Sequence, residues 1–165
     1  MNIGIDKFGL AIPKFFLDIK DLAVARNENA NKFLKGLLQL EMSVSPVTQD
    51  IVTLGAAAAH EFLTEEDKKK IDMVIIGTET GVDQSKSASV FIHNLLGIQP
   101  FARCIEIKEA CYGATAGLDF AKKHIENNPD SYVLLIASDI AKYGIGTSGE
   151  STQGSGSCAM LIKKD

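Results

Sequence analysis

Cys111 is the residue of this sequence best placed to act as a nucleophile. It lies where the run Ile105-Glu-Ile107 gives way to the small-residue pattern Gly113-Ala-Thr-Ala-Gly117. At the start of a helix, unpaired backbone N–H groups and the positive end of the helix dipole favour a thiolate over a thiol, so this spacing predicts an activated cysteine in a first helical turn. Small residues there let the turn pack closely against a neighbouring backbone and leave room for a substrate, as at a nucleophile elbow. The residues alone leave a second reading open. Free cysteine is among the most buried residue types, and Cys111 would then be structural.

Two acidic residues are candidates to work with it. Glu79 lies in Gly77-Thr-Glu-Thr-Gly81, directly after the apolar run Ile71-Asp-Met-Val-Ile-Ile76, and Asp139 follows the run Tyr132 to Ser138. By composition alone, Glu79 is equally a loop carboxylate in solvent. The histidines His60, His93 and His124 are poorly placed as bases. His124 is 13 positions beyond Cys111 on the same expected helix, roughly 20 Å away at 1.5 Å per residue. His60 and His93 fall within helical patterns that explain them as ordinary helix positions.

The elements that must position these residues follow from periodicity and punctuation. Residues 2–12 read as a first strand ended by Pro13, and Asp18 as the N-cap of a helix to Arg26. Asn31 to Leu40 reads as a short helix, and Ser45-Pro-Val-Thr-Gln-Asp50 offers caps and an acidic first turn for another running to about Leu63, whose tetrad Ala56 to Ala59 suggests close packing. Ile71 to Gly77 reads as a run buried on both faces of a parallel sheet, Ala102 to Ile107 as a strand and Tyr132 to Ser138 as another buried strand. Ser85 to Leu96, closed by Gly97, and Cys111 to about Asn127 are the helices between them. Asp139 to Ser155 reads as a Gly/Ser/Thr-rich loop and Cys158 to Ile162 as a last strand. This alternation makes the chain a layered α/β domain. In such sheets ligands gather at the carboxyl ends of the strands, so Glu79, Cys111 and Asp139 converge if their strands are parallel neighbours.

Composition excludes several classes. The chain has 165 residues, enough for one domain with a core that needs neither disulfide nor metal. Three cysteines without a CxxC pair argue against both, and suggest a reducing, cytoplasmic setting. The net charge of −4, from 17 basic and 21 acidic residues, provides no basic stripe for nucleic acid. The run Glu65-Glu-Asp-Lys-Lys-Lys70 reads as a solvated helix end. No signal peptide or membrane span is recognisable, and no nucleotide-binding or zinc-protease motif occurs.

Several segments together resemble the bacterial hydroxymethylglutaryl-CoA synthase family. They are Gly4-Ile-Asp6, Gly77-Thr-Glu-Thr80, Ile98-Gln-Pro-Phe-Ala-Arg103, Lys108-Glu-Ala-Cys-Tyr-Gly-Ala-Thr115, Ala137-Ser-Asp-Ile-Ala-Lys-Tyr-Gly144 and Thr152-Gln-Gly-Ser-Gly156. The resemblance implies a thiolase-like fold of two similar α/β halves, with residues 1–165 as the first half. The segment carrying the family's histidine would then lie beyond Asp165. It further implies that Cys111 takes an acetyl group from acetyl-CoA and that the acetyl methyl adds to acetoacetyl-CoA, a step of the mevalonate pathway. Glu79 is implied as general acid/base, and the Cys111 backbone N–H as the stabiliser of an enolate or oxyanion. Tyr112, Asp139 and Tyr143 match positions lining the acyl pocket, Thr152 a substrate contact, and Ala30 a region that meets CoA. A homodimer is implied, without metal or dissociable cofactor, as is an apolar face covered by the second half. Gly36-Leu-Leu-Gln39 departs from the family's more usual Gly-Leu/Ile-Gly-Gln. Ser155, Ser157 and Cys158 stand where relatives mostly carry Ala or Val, which places polar atoms in a packed strand. Two other functions compete: a ketoacyl-carrier-protein synthase, which pairs its cysteine with His and Asn, and an inert half-domain serving as an interaction module.

Overall fold

The computed structural model describes residues 2–165 and is organised by one mixed five-stranded sheet. Its strands are β1 (Ile3–Ala11), β4 (Ile71–Gly77), β5 (Arg103–Ile107), β6 (Tyr132–Ala141) and β7 (Gly154–Lys164), while β2 (Phe15–Asp18) and β3 (Glu41–Val44) form a separate ribbon. The order across the sheet is β1-β7-β6-β4-β5. β4 is parallel to both β5 and β6, as the apolar runs predict, while β7 is antiparallel to β6 and β1 antiparallel to β7.

Helices cover both faces of the centre. α3 (Ile51–His60) and α5 (Ala88–Leu96) bury Val74, Ile76, Leu134 and Ile136 on one side, and α6 (Gly113–Asn127) buries Ile75, Leu135 and Val133 on the other. This two-sided cover is why β4 is apolar at successive positions rather than alternating. Ala58 and Ala59 are fully buried, as close packing of α3 requires. Asp50 and Thr53 form a capping box at its start, and Gly97, with φ of 65°, closes α5.

Residues 15–70 differ from the elements expected of them. The stretch expected as a helix from Asn31 to Leu40 is α2 (Ala30–Leu34) only, because the chain turns at Leu38 in the left-handed region and enters β3. β3 pairs with β2 to form a ribbon of four-residue strands, too short to show a period in the sequence. With α1 (Ile19–Ala25), capped by Asp18 as expected, α2 and the ribbon enclose a small core of Ile19, Leu22, Ala23, Phe33 and Met42. The helix expected to reach Leu63 stops at His60, and the charged run is a separate helix, α4 (Glu65–Lys70). α4 is not merely solvated. Its Asp67 is buried, closes a capping box with Thr64 and accepts from Lys7 at 2.7 Å. Burial pushes the Asp67 carboxyl up, but the bonds from Lys7 and Thr64 outweigh it and leave the group below its ordinary value.

No helix among the described residues is long and apolar enough to cross a membrane. On the sheet face opposite α3, the edge strand β1 presents Phe8 and Leu10 to solvent, and Ile12, Phe15 and Phe16 continue the exposed apolar surface. In β7, the hydroxyls of Ser155 and Ser157 are buried without a protein partner, the polar intrusion that the departures at these positions imply. A buried unmade hydrogen bond costs about 1–3 kcal/mol. Ser157→Ala is therefore expected to raise the stability of the domain by about 1 kcal/mol or more in denaturant unfolding. A loss of stability would show that the hydroxyl is satisfied in solution.

Candidate active site

The register of the sheet brings the site together. Gly77, the last residue of β4, pairs with Ile107 of β5 on one side and with Ala137 of β6 on the other, so the segments that follow start at one level. Thr78 donates its amide to the Ile107 carbonyl at 3.2 Å, which ties the first of these segments to the end of β5. The strands are neighbours, and the condition for convergence is met.

Close packing of backbone on backbone then sets where the cysteine lies. A Cβ on Gly77 would sit 2.4 Å from the Ala114 nitrogen and 2.7 Å from the Gly113 carbonyl carbon, so only glycine lets the start of α6 rest on the end of β4. A Cβ on Gly113 would in turn meet the Ile107 carbonyl oxygen at 3.0 Å. The small residues expected to permit such an approach do so. The helix itself starts later than expected. Tyr112 is the N-cap of α6 and Cys111 precedes it, because turns from Glu109 to Tyr112 and from Ala110 to Gly113 complete the loop before the first helical bond, Ala116 to Tyr112, is made. Cys111 thus sits beside the helix N-terminus rather than in its first turn, preceded by Ala110 in the left-handed region with φ of 46°.

The Cys111 thiol is exposed and donates to Glu79 Oε1 at 3.7 Å. Asp139 fixes the segment that carries Glu79. Its Oδ2 accepts the Glu79 amide at 2.9 Å, and its Oδ1 accepts the hydroxyls of Thr80 and, at 3.3 Å, Thr78. Thr80 Oγ1 also accepts the Ile140 amide, binding the segment back to β6. Asp139 is itself in a strand, not a loop. β6 continues to Ala141 and pairs with Gly154 to Gly156, where β7 begins four residues earlier than the apolar pattern shows. Gly and Ser read as loop because they contribute little to strand propensity, yet the ladder supplies their pairing. Cys111 and Asp139, with Gly77, Ala114 and Gly156, line a cavity of about 190 Å³.

Tyr143 lies two residues beyond the end of β6. The negative charge of Glu79, then partial burial, then Cys111 and Asp139 hold its phenol above the usual tyrosine range. Tyr112, half exposed at the helix cap, flanks the cysteine in the chain. Thr152 and Ala30 are elsewhere. Thr152 ends a short 3₁₀ turn (Glu150–Thr152) on the wall of a second cleft of about 560 Å³, and Ala30 opens α2, whose Lys32 and Phe33 line that same cleft. No histidine reaches the thiol. His60 is exposed at the end of α3, His93 donates to the Gln99 carbonyl, and His124 bonds Asp72 at the start of β4. The roles of Thr78 and Thr80 were not anticipated from sequence, although their position on either side of Glu79 is the signal that could have shown them.

The profile described as "Hydroxymethylglutaryl-coenzyme A synthase N terminal" matches residues 1–165. The chain belongs to the hydroxymethylglutaryl-CoA synthase family. It is 55% identical to a hydroxymethylglutaryl-CoA synthase of Enterococcus faecalis over 165 residues, covering all of this chain and 43% of that protein. A crystal structure of HMG-CoA synthase complexed with CoA superimposes with a TM-score of 0.98 at 62% identity, over 100% of this chain and 42% of the other. A polyketide 3-hydroxy-3-methylglutaryl-ACP synthase, PksG of Bacillus subtilis, is 33% identical over 98% of this chain and 42% of its own. The chain thus spans less than half the length of these relatives, and its sheet and helices form the thiolase-like half expected of it.

Burial pushes the thiols of Cys104 and Cys158 up, which lowers their nucleophilicity at neutral pH. Limiting alkylation followed by peptide mapping is therefore expected to label Cys111 first. Gly77→Ala should slow that labelling relative to small-molecule thiols by displacing the cysteine loop, while far-ultraviolet circular dichroism stays unchanged. First labelling of Cys104 or Cys158 would remove Cys111 as the candidate nucleophile.

Proposed function

We propose that the protein of which these residues are part is a hydroxymethylglutaryl-CoA synthase acting in the cytoplasm as a homodimer, condensing acetyl-CoA with acetoacetyl-CoA. The observation that carries this reading is the 3.7 Å contact between the Cys111 thiol and Glu79 at the common end of three parallel strands. The Cys111 thiolate attacks the acetyl carbonyl, the tetrahedral oxyanion collapses and CoA leaves as its thiolate, giving acetyl-Cys111. Glu79 then removes a proton from the acetyl methyl as its carbon bonds to the ketone carbon of acetoacetyl-CoA, and the resulting alkoxide is protonated. Water hydrolyses the thioester and frees the cysteine. The Cys111 backbone N–H is the donor this reading assigns to the oxyanion, since the amides of Tyr112 and Gly113 are bonded within the turns. Each step moves acyl groups and protons only, so no metal or redox cofactor is called for.

The arrangement favours this reading over a ketoacyl-carrier-protein synthase. Among the described residues the side chain bonded to the thiol is a carboxylate, whereas that class uses His and Asn. The 55% identity to a CoA enzyme, against 33% to an ACP enzyme, supports CoA as the carrier. With no histidine at Cys111, the family's histidine would come from residues outside these 165, as would the cover for Phe8, Leu10 and Phe16. The 165 residues alone are then expected to give no net synthase turnover.

Glu79→Ala separates the two half-reactions in the full-length protein. A thiolate needs no glutamate to attack a thioester, whereas the methyl proton needs a positioned base, so acetyl should still accumulate on Cys111. Condensation should fall by about 10²–10⁴. If acetylation is lost and condensation of the pre-acetylated enzyme survives, Glu79 serves the thiol instead, and the assignment fails.

A further inference from the structure

We propose that the Arg26–Glu150 ion pair is the strap that holds the 142–153 loop onto the α1–α2 unit, making Arg26 and Glu150 positioning residues for the thioester arm that lies in the cleft between them. Arg26, the C-cap of α1, donates Nε to Glu150 Oε2 at 2.8 Å and Nη2 to Oε1 at 2.7 Å, a two-point contact of the kind only a planar guanidinium makes. The Glu150 side chain is only 9% exposed, and its Oε2 also accepts the Gly146 amide at 2.8 Å, so the carboxylate closes the loop on itself as well as on α1. Among the described residues, no other hydrogen bond or ion pair joins residues 19–40 to residues 142–153.

Inside the loop, the closure passes to Tyr143. Gln153 Oε1 accepts the amides of Tyr143 and Gly144 at 2.7 and 3.1 Å, and Thr147 Oγ1 donates to the carbonyls of the same two residues. A Cβ on Gly149 would sit 2.9 Å from Tyr143 Cβ, so the backbone next to Glu150 packs directly on the tyrosine. Tyr143 and the Thr152 wall of the 560 Å³ cleft thus belong to one hydrogen-bonded loop, which the Arg26–Glu150 pair ties to α1 and the Ser43–Ser155 bonds tie to β3 just beyond it. The guanidinium of Arg26, with the Gly146 amide, holds the Glu150 carboxyl down to about 2, so the pair is ionised throughout the neutral range. Sequence alone conceals the strap because its ends are 124 positions apart.

The strap rests on geometry, and the thioester role rests on the function proposed above. The test compares the full-length protein with Arg26→Met and Arg26→Lys in two measurements. In Arg26→Met, amide hydrogen exchange across 142–153 is expected to quicken by about tenfold with the β4 and β6 amides unchanged. The acetyl-CoA concentration for half-maximal acetylation of Cys111 should rise about tenfold, a charge-assisted bond's worth, while alkylation of Cys111 by iodoacetamide, which needs no cleft, stays within about twofold. Arg26→Lys, with the charge but not the fork, should fall between Arg26→Met and the parent. Unchanged exchange across the loop in Arg26→Met overturns the strap. Faster exchange with an unchanged acetyl-CoA requirement, or with acetylation and alkylation slowed equally, overturns the positioning role. A parent protein that takes no acetyl at all, while the variant's loop still exchanges faster, overturns the function proposed above and leaves the strap standing.

Discussion

The contact between the end of β4 and the start of α6 is the constraint on which the rest of the site depends. With Gly77 and Gly113 back to back, the two elements approach to a distance that no side chain permits. This close approach fixes the height at which the chain leaves β5, turns through Ala110 and presents Cys111 above the sheet. It also fixes the first residues beyond Gly77, because Thr78 is bonded to the last carbonyl of β5. Cys111 and Glu79 meet because each lies two residues from one of these glycines, Cys111 before Gly113 and Glu79 after Gly77. The buried apolar faces of β4 and β6, gripped by α3, α5 and α6, supply the rigidity that keeps those strand ends in register.

Charge organises the second layer. The Asp139 carboxylate accepts from one amide and two hydroxyls of Thr78-Glu-Thr80, so the segment carrying Glu79 cannot swing away from the thiol without breaking bonds to an ionised acceptor. Placing two carboxylates and a tyrosine around a cysteine concentrates negative charge, and the upward shift at Tyr143 reports it. The Cys111–Glu79–Asp139 group lies at the end of the rigid sheet, with Asp139 in β6 itself, whereas Tyr143 and Thr152 lie on a loop held from outside it.

Much of this was legible in the sequence, for identifiable reasons. The central strands β4 and β6 showed as apolar runs because they are covered on both faces, and the convergence of Glu79, Cys111 and Asp139 followed from where they and the edge strand β5 stop. Asp18, Asp50 and Gly97 marked helix ends through local chemistry, which sequence records directly. The β2–β3 ribbon and the extension of β6 and β7 were not legible, since short strands and Gly/Ser ladders take their structure from a distant partner. The placement of Cys111 ahead of the N-cap depends on two turns that no residue type announces. Long-range polar pairs, such as Lys7 with Asp67, were hidden in charged positions that look solvated one at a time. Asp67 in particular sits in a run of six charged residues, yet it alone among them is buried.

A cysteine held in this way should serve as an acyl acceptor. The most direct measurement is peptide mapping by mass spectrometry of the full-length protein after brief incubation with acetyl-CoA. The account predicts one acetyl group, on the peptide containing Cys111, labile to hydroxylamine as a thioester and absent from Cys111→Ser. Acetyl on Cys104 or Cys158, or no acetyl on any cysteine, would contradict it.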